Sequence, residues 1–145
     1  MFRLAPICEP DLREISCGDL DGLSLVEVQR RFPALWQRNL SRSDEDFRWP
    51  GGESYRELRQ RVLGRLASIA GRHPGQRVVL VTHAGVISQV LGAALHGTSA
   101  TRWDLWRPRN GGVTEVRWRD RSGRLMSFDW LPSPAPLEIG AAQHA

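Results

Sequence analysis

The chain has 145 residues, 41% of them hydrophobic and 25% charged, with 14 Gly and 9 Pro; this suits one globular domain and excludes collagenous, wholly disordered and low-complexity classes. Its 20 basic residues, all arginine, against 16 acidic ones give a net charge of +4, which admits an anionic ligand without requiring one. No apolar run approaches the roughly 18 residues of a membrane span, and Met1 to Cys8 is too short for a signal-peptide core, so a cytoplasmic protein with no membrane partner is expected. Cys8 and Cys17 read as reduced thiols, and neither a structural metal nor a cofactor is implied.

Ser24 can cap a helix whose Glu27 closes a capping box, and Val26, Phe32 and Leu35 offer that helix an apolar side. Pro33 should end or break it, leaving the segment to Leu40 irregular or briefly helical again, with Ser41 to Gly52 as loop. The same cap recurs at Ser54 and Glu57. Tyr55, Leu58, Val62, Leu66 and Ile69 then follow at helical spacing and predict a long amphipathic helix. Its other face carries Arg56, Gln60 and Arg65, with Glu57 placed to pair with Arg61 one turn on.

Gly71 to Gln76 breaks the pattern, and the run Val78-Val79-Leu80-Val81 predicts a strand buried on both faces of a parallel sheet. Thr82-His83-Ala84-Gly85 turns the chain into a helix from Val86 to Leu95, closed by Gly97. Val113 to Trp118 and Leu125 to Trp130 alternate apolar and polar residues, with Arg119 to Arg124 as a hairpin connection. Pro132, Pro134 and Pro136 deny the tail regular hydrogen bonding. Residues 1–131 are therefore expected to form the domain and 132–145 a disordered tail.

His83 thus lies between a strand and a helix, where free N–H groups and the helix dipole favour an anion. A lone histidine is more often a packed turn residue than a catalyst. Here it is not alone: Asp11-Leu12-Arg13-Glu14, the CGDLDG run from Cys17 to Gly22, PGGES from Pro50 to Ser54, and RVVLVTHAGVI from Arg77 to Ile87 occur in that order. In order and spacing they resemble the successive motifs of the histidine phosphatase superfamily, the phosphoglycerate-mutase-like fold, from Asp11 to about Trp118. The resemblance implies an α/β fold, a three-layer sandwich around a mostly parallel sheet, N-terminally incomplete in this chain.

By that resemblance Glu14 matches the acid that protonates the leaving group, and His83 the second histidine, which holds the transferring phosphoryl group. Ala84, Gly85 and Glu53 match substrate-binding positions. The chemistry is coherent, since a phosphomonoester leaves poorly as an alkoxide and its phosphoryl oxygens need donors already in place. Glu53 and Ser54 are equally well explained by helix capping. Asp19 and Asp21 stand where the family more often has an aromatic and a glutamate between the glycines, and are read as structural. Asn110, beside Gly111 and Gly112, is a turn residue.

The resemblance also implies a nucleophilic histidine in an Arg-His-Gly motif after the family's first strand, and two arginines that bind the phosphate. Met1 to Glu9 matches the strand just before the glutamate motif, so nucleophile, arginines, first strand and helix are expected to have no counterpart here. His73, in Arg72-His73-Pro74-Gly75, precedes its strand and belongs at the opposite end of the sheet from His83. His73, His96 and His144 are read as surface histidines. No glycine-rich phosphate loop, nucleophile elbow or metalloprotease histidine pair is found.

Three functions are carried forward. The first is hydrolysis of small phosphomonoesters through a phosphohistidine in the complete family enzyme, with this chain inactive; short chains with compact loops resemble the small-molecule phosphatases, the α-ribazole-phosphate type among them. The second is a pseudoenzyme that binds a phosphorylated ligand or partner. The third is a single-strand nucleic-acid binder using Arg102-Trp103, Trp106-Arg107 and Trp118-Arg119, disfavoured because Trp118 belongs to an alternating strand. A small phosphorylated molecule is the expected partner, nucleic acid is not, and an open edge at Val78 to Val81 predicts self-association.

Overall fold

Two capping boxes fix where the helices around the core begin. In the computed structural model, which describes residues 5–41, 44–96, 106–119 and 122–132, Glu27 N donates to Ser24 Oγ at 3.3 Å and Ser24 N to Glu27 Oε2 at 2.9 Å. Helix α1 follows, Leu25–Arg31. Ser54 and Glu57 repeat the exchange at 3.2 and 2.8 Å, and α3 runs Tyr55–Arg72. Pro33 ends α1 and then becomes the first residue of α2, Pro33–Ser41, where its missing N–H and fixed φ suit a first turn.

Two expectations about these helices are corrected. The buried side of α1 is Val28, whereas Val26 is 73% exposed, because Val28, four residues before Phe32 and seven before Leu35, shares their core-packed side and Val26 faces nearly the opposite way. The Glu57–Arg61 surface pair is replaced: Glu57 accepts from the Ser54 cap and from Arg48 at 2.8 Å, and Arg61 turns to Glu53.

The core has two clusters. Leu20, Val28, Phe47, Trp49 and Tyr55 form one, and Leu12, Leu58, Val62, Ile69 and Val86 the other, with half-buried Ile15 packed against both. Tyr55, Leu58, Val62 and Ile69 of α3 are buried as the helical spacing requires, while Leu66 is half-buried. Phe47 meets Trp49 edge to face at 5.0 Å and stacks on Tyr55 at 6.0 Å, so the loop before α3 is packed rather than free.

Helix α4, Ala84–His96, begins two residues earlier than expected and packs on α3 and on the hairpin of β1, Val113–Arg119, and β2, Ser122–Trp130. The strands pair antiparallel, with register shifts between Val113 and Val116. Pairing extends to Arg119 opposite Ser122, so the connection is shorter than the six residues from Arg119 to Arg124 expected. At Gly123 a Cβ would lie 2.8 Å from that of Ala94; glycine lets β2 close on α4.

The predicted parallel strand is corrected. Residues 78–81 form no regular element and have no partner strand among the described residues, whose one sheet is the hairpin. Val79 is 80% and Val81 93% exposed, since β-branched side chains are buried by neighbouring strands and none lies beside this segment among the described residues. No helix among the described residues is long and apolar enough to cross a membrane, and none of their His, Cys, Asp and Glu side chains group as metal ligands. Cys8 and Cys17 are free thiols. Gly97, the Arg102-Trp103 pair, His144 and residues 133–145 of the expected tail lie outside the described residues.

Candidate active site

The segment Asp11–Glu14 begins in a single 3-10 turn, Pro10–Leu12, too short to satisfy its own backbone. Its carbonyls are taken by side chains from elsewhere. Arg61 Nη1 donates to Asp11 O at 2.8 Å and Arg13 O at 3.1 Å, and Arg61 Nη2 reaches Glu14 O at 3.5 Å. Thr82 Oγ1 donates to Leu12 O at 2.6 Å. Arg65 of α3 pairs with Glu9 just upstream, fixing the entry to the segment.

Held in this way, Glu14 places its carboxylate at the N-terminus of α4. Oε2 accepts from Gly85 N at 3.0 Å and Oε1 from Ile15 N at 3.0 Å. A helix N-terminus offers unpaired N–H groups and positive potential, so a carboxylate is stabilised there. A Cβ at Gly85 would come within 2.2 Å of Glu14 Oε1, so glycine is what admits the acid. His83 immediately precedes α4, its carbonyl accepting from Ile87 N at 3.0 Å and its side chain exposed. Glu14 from the first motif therefore converges with His83, Ala84 and Gly85 from the last.

Glu53 lies elsewhere. Its carboxylate takes Arg61 Nε at 2.9 Å and Nη2 at 2.7 Å, each side chain 12% exposed. Burial pushes the Glu53 carboxyl up, but the hydrogen bonds and charge of Arg61 outweigh it and hold the group below its ordinary range. The Glu53 hydrogen bond raises Arg61 above its already high value. The CGDLDG and PGGES motifs meet here, Asp19 N donating to Pro50 O and Glu53 N to Ser16 O, both at 2.9 Å. Gly18 has φ +56, and a Cβ there would sit 2.3 Å from Pro50 O; the glycine is needed for conformation and for close approach alike. Burial, then the charges of Asp21 and Glu14, push the nearby Cys17 thiol up, away from nucleophile chemistry.

Beside Glu14 a cavity of about 320 Å³ opens between α3, α4 and the segment before β1, with Tyr55, Leu58, Gly85, Gln89 and Trp106 among its walls. Tyr55 is oriented by a 2.6 Å bond from its hydroxyl to Asn39 Oδ1. Gln89 Nε2 and Trp106 Nε1 are buried donors without a hydrogen-bond partner among the described residues. Trp106 meets Phe128 edge to face at 5.2 Å, and Trp118 is half-buried, so packing occupies both rings. His73 caps the C-terminal end of α3, with Nδ1 at 3.0 Å from Gln76 Oε1. Asn110 lies in the turn before β1. Arg61, Thr82 and Gln89 were not singled out from sequence: the carbonyls that Arg61 and Thr82 engage are distant in the chain, Gln89 lies on a helix read for its apolar residues, and an arginine one turn after a glutamate reads first as a local surface pair.

A family model described as the histidine phosphatase superfamily (branch 1) matches residues 2–130. A metal-independent phosphoserine phosphatase of Arabidopsis thaliana is 34% identical over 120 residues, 82% of this chain and 48% of that protein. A probable phosphoglycerate mutase of Salmonella paratyphi B is 31% identical over 124 residues, 86% of this chain and 56% of that protein. Among solved structures, a mycobacterial glucosyl-3-phosphoglycerate phosphatase superposes with a TM-score of 0.73 at 26% identity, covering 88% of this chain and 64% of that one. The chain spans about half the length of the curated relatives it matches.

Proposed function

The chain belongs to the histidine phosphatase superfamily, branch 1, and on that premise we propose that it carries the proton-donating and phosphoryl-holding side of a site for small phosphomonoesters. The observation that carries this reading is the Glu14 carboxylate held on Gly85 N at the head of α4, beside His83. In the proposed reaction a histidine attacks phosphorus as the ester P–O bond breaks. Glu14 gives its proton to the departing alkoxide, and His83 with the α4 N–H groups takes charge from the non-bridging oxygens. Water, giving a proton to the now ionised Glu14, then attacks phosphorus, the P–N bond breaks, and phosphate and the free histidine are released. The cavity beside Glu14, walled in part by Tyr55, Leu58, Gln89 and Trp106, takes the leaving group. Support comes also from the mycobacterial relative, whose structures were determined with VO3 and with inorganic phosphate.

None of the 145 residues stands in an Arg-His-Gly triplet, so the chain assayed by itself is proposed to be inactive, binding a phosphorylated molecule without turning it over. Incubation with a chromogenic aryl phosphate tests this. No turnover is expected from the chain alone. Turnover lost in both Glu14→Gln and His83→Ala would show that another residue attacks phosphorus. Fusing the Arg-His-Gly strand and helix of a related phosphatase ahead of Met1 is expected to give activity that those same two substitutions abolish. A stable fusion without activity would remove Glu14 and His83 from the catalytic roles proposed. The exposed apolar segment at residues 78–81 supports a second proposal, that isolated chains self-associate through this edge.

A further inference from the structure

We infer that Arg61 is a positioning residue for Glu14: anchored by Glu53, its guanidinium grips the backbone on both sides of the proposed acid and holds the carboxylate at the head of α4. The inference rests on the role proposed above for Glu14. Arg61 Nε and Nη2 meet the two carboxylate oxygens of Glu53 at 2.9 and 2.7 Å. The opposite edge of the same plane serves the acid's segment, Nη1 donating to Asp11 O at 2.8 Å and Arg13 O at 3.1 Å. These carbonyls lie 50 and 48 residues away in sequence, so the contact is tertiary and not helix-surface pairing. A guanidinium has five donors spread over the edges of one rigid plane; a lysine ammonium is a single point and cannot span carboxylate and carbonyls together.

Thr82 takes the remaining carbonyl, that of Leu12, so each carbonyl from Asp11 to Glu14 is fixed by a side chain from α3 or from the turn before α4. The acid is thereby held from behind by Arg61 and in front by Gly85 N. Arg61 and Glu53 are each 12% exposed, so solvent and salt screen the pair little. Ordering four loop residues costs conformational entropy, and this shared clamp offsets it. Glu53 then acts as the counter-charge that keeps the clamp aimed.

Amide NMR on the full 145-residue chain tests the inference without needing activity. The Gly85 and Ile15 amides report the two hydrogen bonds to the Glu14 carboxylate, and Glu14→Gln marks where they move when it is neutralised. Two variants remove the clamp: Arg61→Lys, which keeps the charge beside Glu53, and Arg61→Met with Glu53→Gln, which leaves no buried charge unpaired. In both, the Gly85 and Ile15 signals are expected to move more than halfway to their Glu14→Gln positions while the β1–β2 amides stay. If the double variant does not fold, Arg61→Lys alone decides. Gly85 and Ile15 signals within half of that distance of wild type, in a variant whose hairpin amides are intact, would overturn the inference. The proposed function fails separately: in the active fusion, hydrolysis untouched by Glu14→Gln would remove the acid's role, whatever Arg61 does.

Discussion

Two segments converge on the head of α4, and hydropathy does not foretell how firmly each is held. Asp11–Glu14 is polar and charged, yet its carbonyls are all engaged and its last side chain is seated on a helix N-terminus. Residues 78–81 are uniformly apolar, yet Val79 and Val81 are 80% and 93% exposed. Placement follows the supply of partners. A polar segment is fixed when a guanidinium and a hydroxyl meet its carbonyls, and an apolar strand is buried when other strands flank it.

The largest way to break this contrast is to release the polar segment. Arg61→Met leaves Glu53 without its partner in a site 12% exposed, and is expected to cost about 3 kcal/mol, the lower end for breaking a buried pair. Chemical denaturation measures it, and a loss below ~1 kcal/mol would mean the clamp is dispensable for stability. The same pair has a pH signature. Glu53 is held below its ordinary range in the folded chain, so its contribution is fully present above the unfolded carboxyl value and is lost as pH falls through the depressed folded one. Glu45, lowered by its hydrogen bond to Arg59, acts in the same direction. Glu53→Gln should therefore flatten the acid limb of a stability–pH profile, and an unchanged limb would count against the pair.

A smaller loss is expected where the two motif loops touch. Gly18→Ala places a Cβ against Pro50 O at positive φ and should cost about 2 kcal/mol through strain and clash. A calorimetric Tm equal to wild type would show that the loops separate freely.

Ligand affinity should move less. Glu14 already occupies Gly85 N, so a phosphate at this helix terminus competes with it. Glu14→Gln is expected to tighten phosphate binding by about twofold to fivefold, the scale of a charge at a helix end. Amide shifts during phosphate titration follow this, and weaker binding in the variant would contradict the competition.

The least stability change is expected at the apolar segment. Val79→Lys with Val81→Lys should alter monomer stability by no more than about 0.5 kcal/mol, as for exposed positions, while reducing self-association in sedimentation. Large destabilisation would mean the segment is packed in solution, and unchanged association would exclude this edge as the contact.

The sequence by itself determined features whose causes are local. Both capping boxes, the apolar face of α3 and the hairpin follow from residues within a turn or two of each other. The family was equally legible, because four motifs in a fixed order form a one-dimensional signal. Those motifs pointed to Glu14, His83, Ala84 and Gly85, which the fold brings to one end of α4, and to Glu53, which it places behind them on Arg61. The tertiary structure decided the rest. That Arg61 serves three carbonyls about fifty residues upstream instead of Glu57 one turn away, and that an apolar run stands exposed, depend on which surfaces meet across the core. Local spacing and hydropathy encode a residue's preferences, whereas its partners are set by the packing of distant segments.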